Sequence, residues 1–187
     1  AIPAPALFGQ FNNLDDIDIV LNGLRAIGFD VIFEVSRAAE LVSEATRKLI
    51  RENKLKTPII SSACPAVVRL IQLRYPNLIP NLLPIKSPME IAAQNARFEF
   101  CKANAVEPDE VGVFFISPCA AKMTSVKAPL EVEKSSVSGV IPIKMVYFKI
   151  LKLLSKMKNQ SLEDIDLQAG KYGVRWASTG GEALSID

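Results

Sequence analysis

Apolar residues along the chain follow two patterns. Short continuous apolar runs are typical of strands buried on both faces, whereas apolar residues that recur every three or four positions are typical of amphipathic helices. These patterns predict strands at residues 29–35, 57–61, 111–117, 140–143 and 170–177. They predict helices at residues 11–28, 36–53, 66–74, 87–103 and 144–157.

Local signals place several helix ends. Asn13 is the predicted N-cap of the first helix, and Gly28 is its stop signal. Ser36 and Ser87 are predicted N-caps of later helices, and Glu90 stands three residues after Ser87, where it could complete a capping box. The remaining segments are predicted to be extended at 1–9, irregular at 77–84 and a loop at 122–138.

Strand and helix segments alternate along most of the sequence. Parallel strands need long crossover connections, which are usually helices, and an alternating order therefore favours a parallel sheet. The sequence predicts an α/β fold that forms one unit over residues 1–187, with a mostly parallel sheet and helices on both of its faces.

Composition and charge exclude several classes of partner. The chain is 49% hydrophobic and 22% charged, with a formal net charge of +2, and no cluster of Lys and Arg is dense enough to predict a nucleic-acid partner. Five lysines between residues 144 and 158 alternate with apolar residues, which favours a solvated helix face over an anion-binding face. No apolar run reaches transmembrane length, so we expect no membrane partner. Three cysteines, an odd number, favour a reducing, cytoplasmic location.

Chemistry in this chain is expected to depend on cysteine, because the sequence contains no histidine and therefore no Ser/His or Cys/His pair. Cys64 and Cys119 each follow a predicted strand, and the carboxyl ends of parallel strands meet at one edge of a sheet. A helix that begins at a cysteine favours negative charge on the cysteine sulfur. A negatively charged sulfur can act as a nucleophile or as a metal ligand. The sequence offers no base beside either cysteine, so a role as nucleophile is the weaker interpretation. Cys101 lies on the apolar stripe of a helix and is predicted to be a buried hydrophobic residue.

Two thiolates do not complete the ligand set of an iron–sulfur cube, which takes four. Either the other ligands lie outside this chain, or no cluster is bound. Lys86, Ser87 and Lys122 add positive charge and hydrogen-bond donors that suit an anionic ligand, although an isolated lysine is more often a surface residue.

Several short motifs occur in a distinctive order. They are Ser61-Ser-Ala-Cys-Pro65, Tyr75-Pro-Asn-Leu78, Lys86-Ser-Pro88, Pro118-Cys-Ala-Ala-Lys122 and Thr179-Gly-Gly-Glu-Ala183. In this order and spacing the chain resembles, almost end to end, the catalytic domain of the iron-only ([FeFe]) hydrogenases. The resemblance implies that this chain forms one lobe of that domain.

The resemblance also implies a cofactor and roles for individual residues. The implied cofactor is the H-cluster, a [4Fe–4S] cube bridged to a two-iron site that carries CO and cyanide. Cys64 and Cys119 would be metal ligands of the cube, and Lys122 would bind a cyanide of the two-iron site. Ser87 and Pro88 would border the cofactor pocket. Glu44 matches a glutamate of the family's proton relay and, with Lys122, is the implied catalytic residue.

The chain departs from the family pattern at the proton relay. The relay cysteine is replaced by Ala63, a relay serine by Leu83 and a second relay glutamate by Arg47. Ser117 and Ser125 also replace family residues beside the second cysteine motif. The family's last two cube cysteines lie further downstream and are not in this sequence, so we expect an apo or partial domain in which the cluster is absent or incomplete.

These features predict a hydrogenase-like iron–sulfur domain that acts as a redox or hydrogen-sensing module with an impaired proton relay. An active [FeFe] hydrogenase domain and a cluster-free interaction domain are the alternatives. The expected partners are a ferredoxin-like electron-transfer domain or protein and, in a longer chain, signalling domains.

Overall fold

The structure is a computed structural model that describes residues 1–11, 17–130, 132–157 and 173–186. The α-helices in these ranges are α1 (Asp18–Ala26), α2 (Val35–Arg51), α3 (Pro65–Arg74), α4 (Pro88–Asn104), α5 (Ala120–Lys127), α6 (Ile143–Met157) and α7 (Gly181–Leu184). Turns of 3₁₀ helix occupy Pro5–Gln10, Pro76–Asn81, Pro108–Glu110 and Gly173–Ala177.

The described residues form one parallel sheet of three strands, in the order β1 (Ile2–Pro3), β2 (Phe114–Ser117) and β3 (Gly139–Pro142). Ile2 lies opposite Phe115, and Phe115 lies opposite Val140. The central strand is thus the predicted strand at 111–117, shortened at its start. The parallel sheet confirms the predicted α/β fold class.

Helices cover both faces of this sheet. Along β2, Phe115 points to one apolar core and Ile116 to the other, because successive side chains of a strand point to opposite faces. The Ile116 core contains side chains of α1 and α6, and the Phe115 core contains side chains of α2 and α4. The two-sided coverage that continuous apolar runs predicted is therefore present.

Helices α1 and α6 approach each other closely at Gly23. A Cβ atom at this position would lie 2.9 Å from Cγ2 of Ile150, which is completely buried. Glycine therefore permits the close approach that packs α1 onto the Ile116 side of the sheet. The predicted N-cap of this helix, Asn13, lies outside the described residues, and the predicted stop at Gly28 has a φ of +110°.

The predicted strand at 29–35 is wrong. Residues 31–34 have no regular structure, and α2 begins at Val35 with Glu34 as its N-cap instead of Ser36. Two hydrogen bonds link this segment to the chain start: the Ala1 ammonium donates to Val31 O at 2.6 Å, and Phe33 N donates to Ala1 O at 2.9 Å. Ile32 lies in one core and Phe33 packs against the other, whereas Val31 is exposed. The segment is not a strand of the sheet.

The predicted strand at 57–61 is also wrong, apart from one parallel bridge between Ile60 and Leu82. Pro58 has no N–H to give to a neighbouring strand. The side-chain amide of Asn81 donates to the carbonyls of Lys56 and Pro58, at 3.3 and 2.9 Å. A side chain thus takes the acceptors that a strand partner would have used.

The predicted strand at 170–177 is not formed where the structure describes it. Residues 170–172 lie outside the described residues, and Gly173–Ala177 is a 3₁₀ turn. This turn docks on α2, where Gly173 N donates to the Glu40 carboxylate at 2.9 Å and the Trp176 indole donates to Ser43 Oγ at 3.1 Å. Contacts with helix side chains therefore replace sheet pairing.

The segment 122–138, predicted to be a loop, begins with most of helix α5. This helix has no buried residue, so it lacks the apolar repeat that would have predicted it. Its start at Ala120, directly after Cys119, matches the predicted position of the second cysteine at a helix N-terminus.

Ser87 is the N-cap of α4, as predicted, but no side-chain capping bond is formed there. The buried Glu90 carboxylate instead accepts hydrogen bonds from Ser135 Oγ and Ser136 N, at 2.5 and 2.8 Å. Glu90 therefore fixes the segment before β3 against α4 and does not form the predicted capping box.

Arg97 of α4 holds the same segment from its other end. Its guanidinium donates to the carbonyls of Pro108, Val111 and Ser136, at 2.8 to 2.9 Å. These acceptors lie before β2 and before β3, so one side chain positions the entries of both strands.

We expect Arg97→Ala to lower the free energy of unfolding by about 2–3 kcal/mol, because charge-assisted bonds to three backbone carbonyls are lost. Urea denaturation measures this change. Arg69→Ala, at an exposed site on α3, is the matched control and should change stability by less than about 0.5 kcal/mol. Equal effects of the two substitutions would show that Arg97 has no such clamping role.

Candidate functional site

The two cysteines predicted as ligands occupy equivalent positions in the structure. Cys64 is the N-cap of α3, with φ −99° and ψ 106°, and Cys119 is the N-cap of α5, with φ −94° and ψ 113°. Both are exposed free cysteines. Each sulfur therefore stands at the positive end of a helix dipole, which favours a negatively charged or metal-bound sulfur.

A serine shapes the turn before each cysteine. Ser61 Oγ accepts a hydrogen bond from Ala63 N, and Ser117 Oγ accepts one from Cys119 N, both at 3.2 Å. A serine hydroxyl that binds the N–H two residues later is a known turn device. Sequence reasoning missed this role for Ser61 and Ser117, although the spacing of two residues was visible in the sequence.

Lys122 joins the two cysteine turns. It lies in the first turn of α5, and its ammonium donates a 2.7 Å hydrogen bond to the backbone carbonyl of Ala63, the residue before Cys64. Its backbone N–H donates to the carbonyl of Cys119 at 3.2 Å. One residue therefore contacts both turns and fixes the start of α3 relative to the start of α5.

The Cys64 turn has two further attachments. Ser62, which is buried, donates from its hydroxyl to the carbonyl of Ile85 at 2.8 Å. Ser61 Oγ donates to the Glu182 carboxylate of α7 at 2.5 Å. The turn is thus held by α5, by the segment before α4 and by the last described helix.

The structure places a small cavity of about 20 Å³ between the Cys64 turn and α5. Its polar lining comes from Ser87, Glu90, Lys122 and Ser125, and Pro65 borders it beside Cys64. Apolar atoms of the wall belong to Met89, Pro129, Leu130 and Val132. Two predicted cofactor residues, Ser87 and Lys122, are therefore brought together here, and Pro88 is buried at the adjoining start of α4.

Cys119 borders a different and much larger cavity of about 610 Å³. Exposed Met123 and Phe148 contribute to its lining, together with Tyr147. Cys119 therefore opens onto an apolar surface between α5 and α6, whereas Pro65 and Lys122 face the small cavity.

Glu44, predicted to be a relay acid, is exposed on α2. It lines a groove on the outside of that helix with Arg47, Lys48 and Arg51. Of the described residues that line this groove, none is a cysteine. The structure therefore does not bring Glu44 into either cavity beside the cysteine turns.

Cys101 and Leu83 are two further residues to which the sequence drew attention. Cys101 is partly exposed on α4, so the prediction of a buried hydrophobic residue is wrong. Leu83 is buried, and its N–H donates to the carbonyl of Ile60 at 2.8 Å. Among the described residues, no cluster of three or more Cys, Asp or Glu side chains is arranged to hold a metal ion.

Comparison with known protein families identifies the chain. The family described as "Iron only hydrogenase large subunit, C-terminal domain" matches residues 1–184. The chain belongs to this family. Among its relatives, iron hydrogenase 1 of Clostridium pasteurianum is 28% identical over 185 residues, which cover 94% of this chain and 32% of that protein. The cytosolic Fe-S cluster assembly factor NAR1 of Yarrowia lipolytica is 27% identical over 119 residues, or 63% of this chain and 24% of that protein.

Solved structures of the same family share the fold. An apo variant of the [FeFe]-hydrogenase HydA1 from Chlamydomonas reinhardtii matches with a TM-score of 0.68 and 20% identity, over 97% of this chain and 52% of that chain. This hydrogenase-family chain therefore spans about half of that protein and about a third of the Clostridium relative. No helix among its described residues is long and apolar enough to cross a bilayer.

The family implies an iron–sulfur cofactor, and the donors present fit part of it. Two exposed thiols at neighbouring helix N-termini suit two corners of a [4Fe–4S] cube, which is held by cysteine thiolates. Lys122, which the resemblance places beside the two-iron site, donates to the backbone carbonyl of Ala63 in this structure.

We expect Lys122→Met to lower the free energy of unfolding by about 1–2 kcal/mol, because the Ala63 carbonyl loses a charge-assisted partner while the aliphatic stem is kept. Hydrogen exchange should show faster exchange at Ala63 than in the parent protein. Lys127→Met, at an exposed site in the last turn of α5, is the control and should change neither quantity. Unchanged exchange at Ala63 in Lys122→Met would contradict the role of Lys122 in joining the turns.

Proposed function

We propose that this chain forms one lobe of a hydrogenase-like iron–sulfur domain that serves as a redox or hydrogen-sensing module within a larger protein. Cys64 and Cys119 provide two thiolate ligands of a [4Fe–4S] cube. The other two ligands come from outside the described residues. Rapid hydrogen turnover is not the function of this domain, because its proton relay is impaired.

The observation that carries this proposal is the contact between Lys122 and the turn of Cys64. The 2.7 Å bond to Ala63 O links the N-terminus of α5 to that of α3, so both cysteines belong to one assembly. Exposed thiols are poor packing residues, since a free cysteine used for packing is usually buried. Exposure at two linked helix starts therefore favours ligation over packing.

The impaired proton relay supports the proposal that rapid hydrogen turnover is not the function of this domain. Proton transfer by a side chain needs an ionisable or hydroxyl group within hydrogen-bond reach of the reacting centre. Ala63 and Leu83 have no such group, and position 47 holds an arginine, whose guanidinium only donates hydrogen bonds and accepts none. Glu44 keeps its carboxylate but lies on the outer groove of α2.

An active [FeFe] hydrogenase domain is the second candidate, favoured by retention of both cysteines and Lys122 in their motifs. A cluster-free interaction domain is the third, favoured by exposed apolar side chains beside Cys119, such as Phe148 at 69% exposure. Similarity to an assembly factor as well as to hydrogenases supports iron–sulfur function without requiring hydrogen turnover.

The expected electron donor or acceptor is a ferredoxin-like domain or protein, and signalling domains are the expected further partners of a sensory module. We propose a cytoplasmic location, which the cytosolic assembly factors among the relatives support. Neither nucleic acid nor membrane is an expected partner.

Cluster ligation is tested by anaerobic reconstitution of the full-length protein with iron and sulfide, followed by electron paramagnetic resonance of the reduced cluster. Cys64→Ser and Cys119→Ser should each lose most of the cube signal, because each removes one of the cube's thiolate ligands. Cys101→Ser should retain the signal, because this cysteine lies on α4 outside the site. A full signal in both ligand variants would reject the proposal and favour the interaction domain.

Restoring one relay group should not restore catalysis. We expect Ala63→Cys in the reconstituted full-length protein to evolve hydrogen no faster than the parent, because Leu83 and Arg47 still interrupt the relay. Gas chromatography of the evolved hydrogen measures this. Substantial activity in the single variant would refute the impaired relay, and fast turnover by the parent protein would establish the active hydrogenase.

A further inference from the structure

Helix α7 lies beside the turn that carries Cys64. It contains Glu182, whose carboxylate accepts a 2.5 Å hydrogen bond from Ser61 Oγ, a residue 121 positions earlier in the chain. We propose that Glu182 is a positioning residue for the Cys64 ligand, on which it acts through Ser61, and that its negative charge lowers the midpoint potential of the iron–sulfur cube. This inference rests on the proposed function and names a group that sets the potential at which the redox module responds.

Ser61 connects Glu182 to the cysteine turn through a single oxygen atom. The Ser61 hydroxyl donates its proton to Glu182, and the same oxygen accepts a hydrogen bond from Ala63 N at 3.2 Å. A hydroxyl has one donor and two acceptor lone pairs, so the two bonds are compatible. The bond to Glu182 therefore holds the Ser61 side chain where it accepts from Ala63, the residue directly before Cys64.

The backbone around Glu182 holds the carboxylate in place. A Cβ atom at Gly181 would overlap the carbonyl oxygen of Arg175, so the close packing of α7 on the preceding turn requires glycine. That turn is bonded to side chains of α2 through Gly173 N and the Trp176 indole. Glu182 is therefore carried by backbone that is packed against the rest of the fold.

The charge of Glu182 lies close enough to the Cys64 turn to act on a cluster there. Hydrogen bonds of 2.5 and 3.2 Å lead from the carboxylate to Ala63 N, and the Cα atoms of Ala63 and Cys64 are about 3.8 Å apart across one peptide. This path is comparable to the Debye length of about 8 Å at physiological salt, and Glu182 is partly buried, so salt does not fully screen its charge. Reduction adds an electron to the cube, which a nearby negative charge disfavours, and the potentials of such clusters depend on the charge around them.

Amide hydrogen exchange of the full-length protein tests the positioning role, with or without the cube. We expect Ser61→Ala to speed exchange at Ala63 about 2- to 10-fold, as for the loss of one ordinary hydrogen bond, and Glu182→Ala to speed it as well. The double variant should exchange no faster than Ser61→Ala, because Glu182 acts through the serine. Ser61→Thr keeps the hydroxyl and should exchange as the parent does. Additive effects, or unchanged exchange in Glu182→Ala, would overturn the positioning role.

A redox titration of the reconstituted full-length protein, followed by electron paramagnetic resonance, tests the effect of the charge. Glu182→Gln keeps an acceptor oxygen for Ser61 but removes the negative charge, so exchange at Ala63 should stay the same while the midpoint potential rises. Glu99→Gln removes an equal charge at an exposed site about three turns from the start of α4, and it should leave the potential unchanged. An unchanged potential in Glu182→Gln, or an equal rise in both variants, would overturn the inference.

The two tests separate this inference from the proposed function. Absence of a cube signal in the parent protein would reject the proposed function and the effect on the potential with it, and hydrogen exchange would then still decide whether Glu182 positions the Cys64 turn. A cube signal in the parent together with an unaltered potential in Glu182→Gln would retain the proposed function and reject the role of the charge.

Discussion

A single hydrogen bond, from the Lys122 ammonium to the Ala63 carbonyl, joins two parts of the chain that lie 59 residues apart. It connects the helix start at Cys64 with the helix start at Cys119. A 2.7 Å contact between a charged donor and a backbone carbonyl is among the stronger hydrogen bonds in proteins. This contact is central to the candidate site, because it ties the turn before α3 to the first turn of α5.

The fold supplies the frame for that contact. Strand β2 lies between β1 and β3, and its carboxyl end leads through Pro118 directly into the cysteine turn. Cores on both faces of the sheet fix the direction of the strand, while Glu90 and Arg97 fix the segment that leads into β3. The position of Cys119 is therefore set by the most buried part of the molecule. Cys64 lacks a full strand before it, and side-chain hydrogen bonds of Ser61 and Ser62 hold its turn instead.

The sequence predicted those features that depend on local signals or on strong periodicity. The central strand, the two-sided cores and both cysteines at helix starts follow from apolar runs and from residues such as Pro65 next to a cysteine. The strand predictions that were wrong have a different cause. The backbone near Pro58 pairs with the side chain of Asn81, and the turn at Gly173 docks on α2, so distant contacts override the local strand preference. Helix α5 buries none of its residues and therefore left no apolar repeat to find.

In the candidate site, too, the residues could be predicted from local sequence signals, but their contacts with distant residues could not. Cys64, Cys119, Ser87 and Lys122 were all named from the sequence, but their partners were not. That Lys122 binds the carbonyl of Ala63 depends on how α3 and α5 meet in space. The residues that carry the family's motifs are therefore visible in the sequence, whereas the contacts between them are not.

The central claim is that Cys64 and Cys119 together hold one iron–sulfur cube. Anomalous scattering at the iron edge, from crystals of the intact protein purified without oxygen, tests it most directly. The account predicts a compact iron peak within bonding distance of both sulfur atoms. An absence of iron at either cysteine would contradict it.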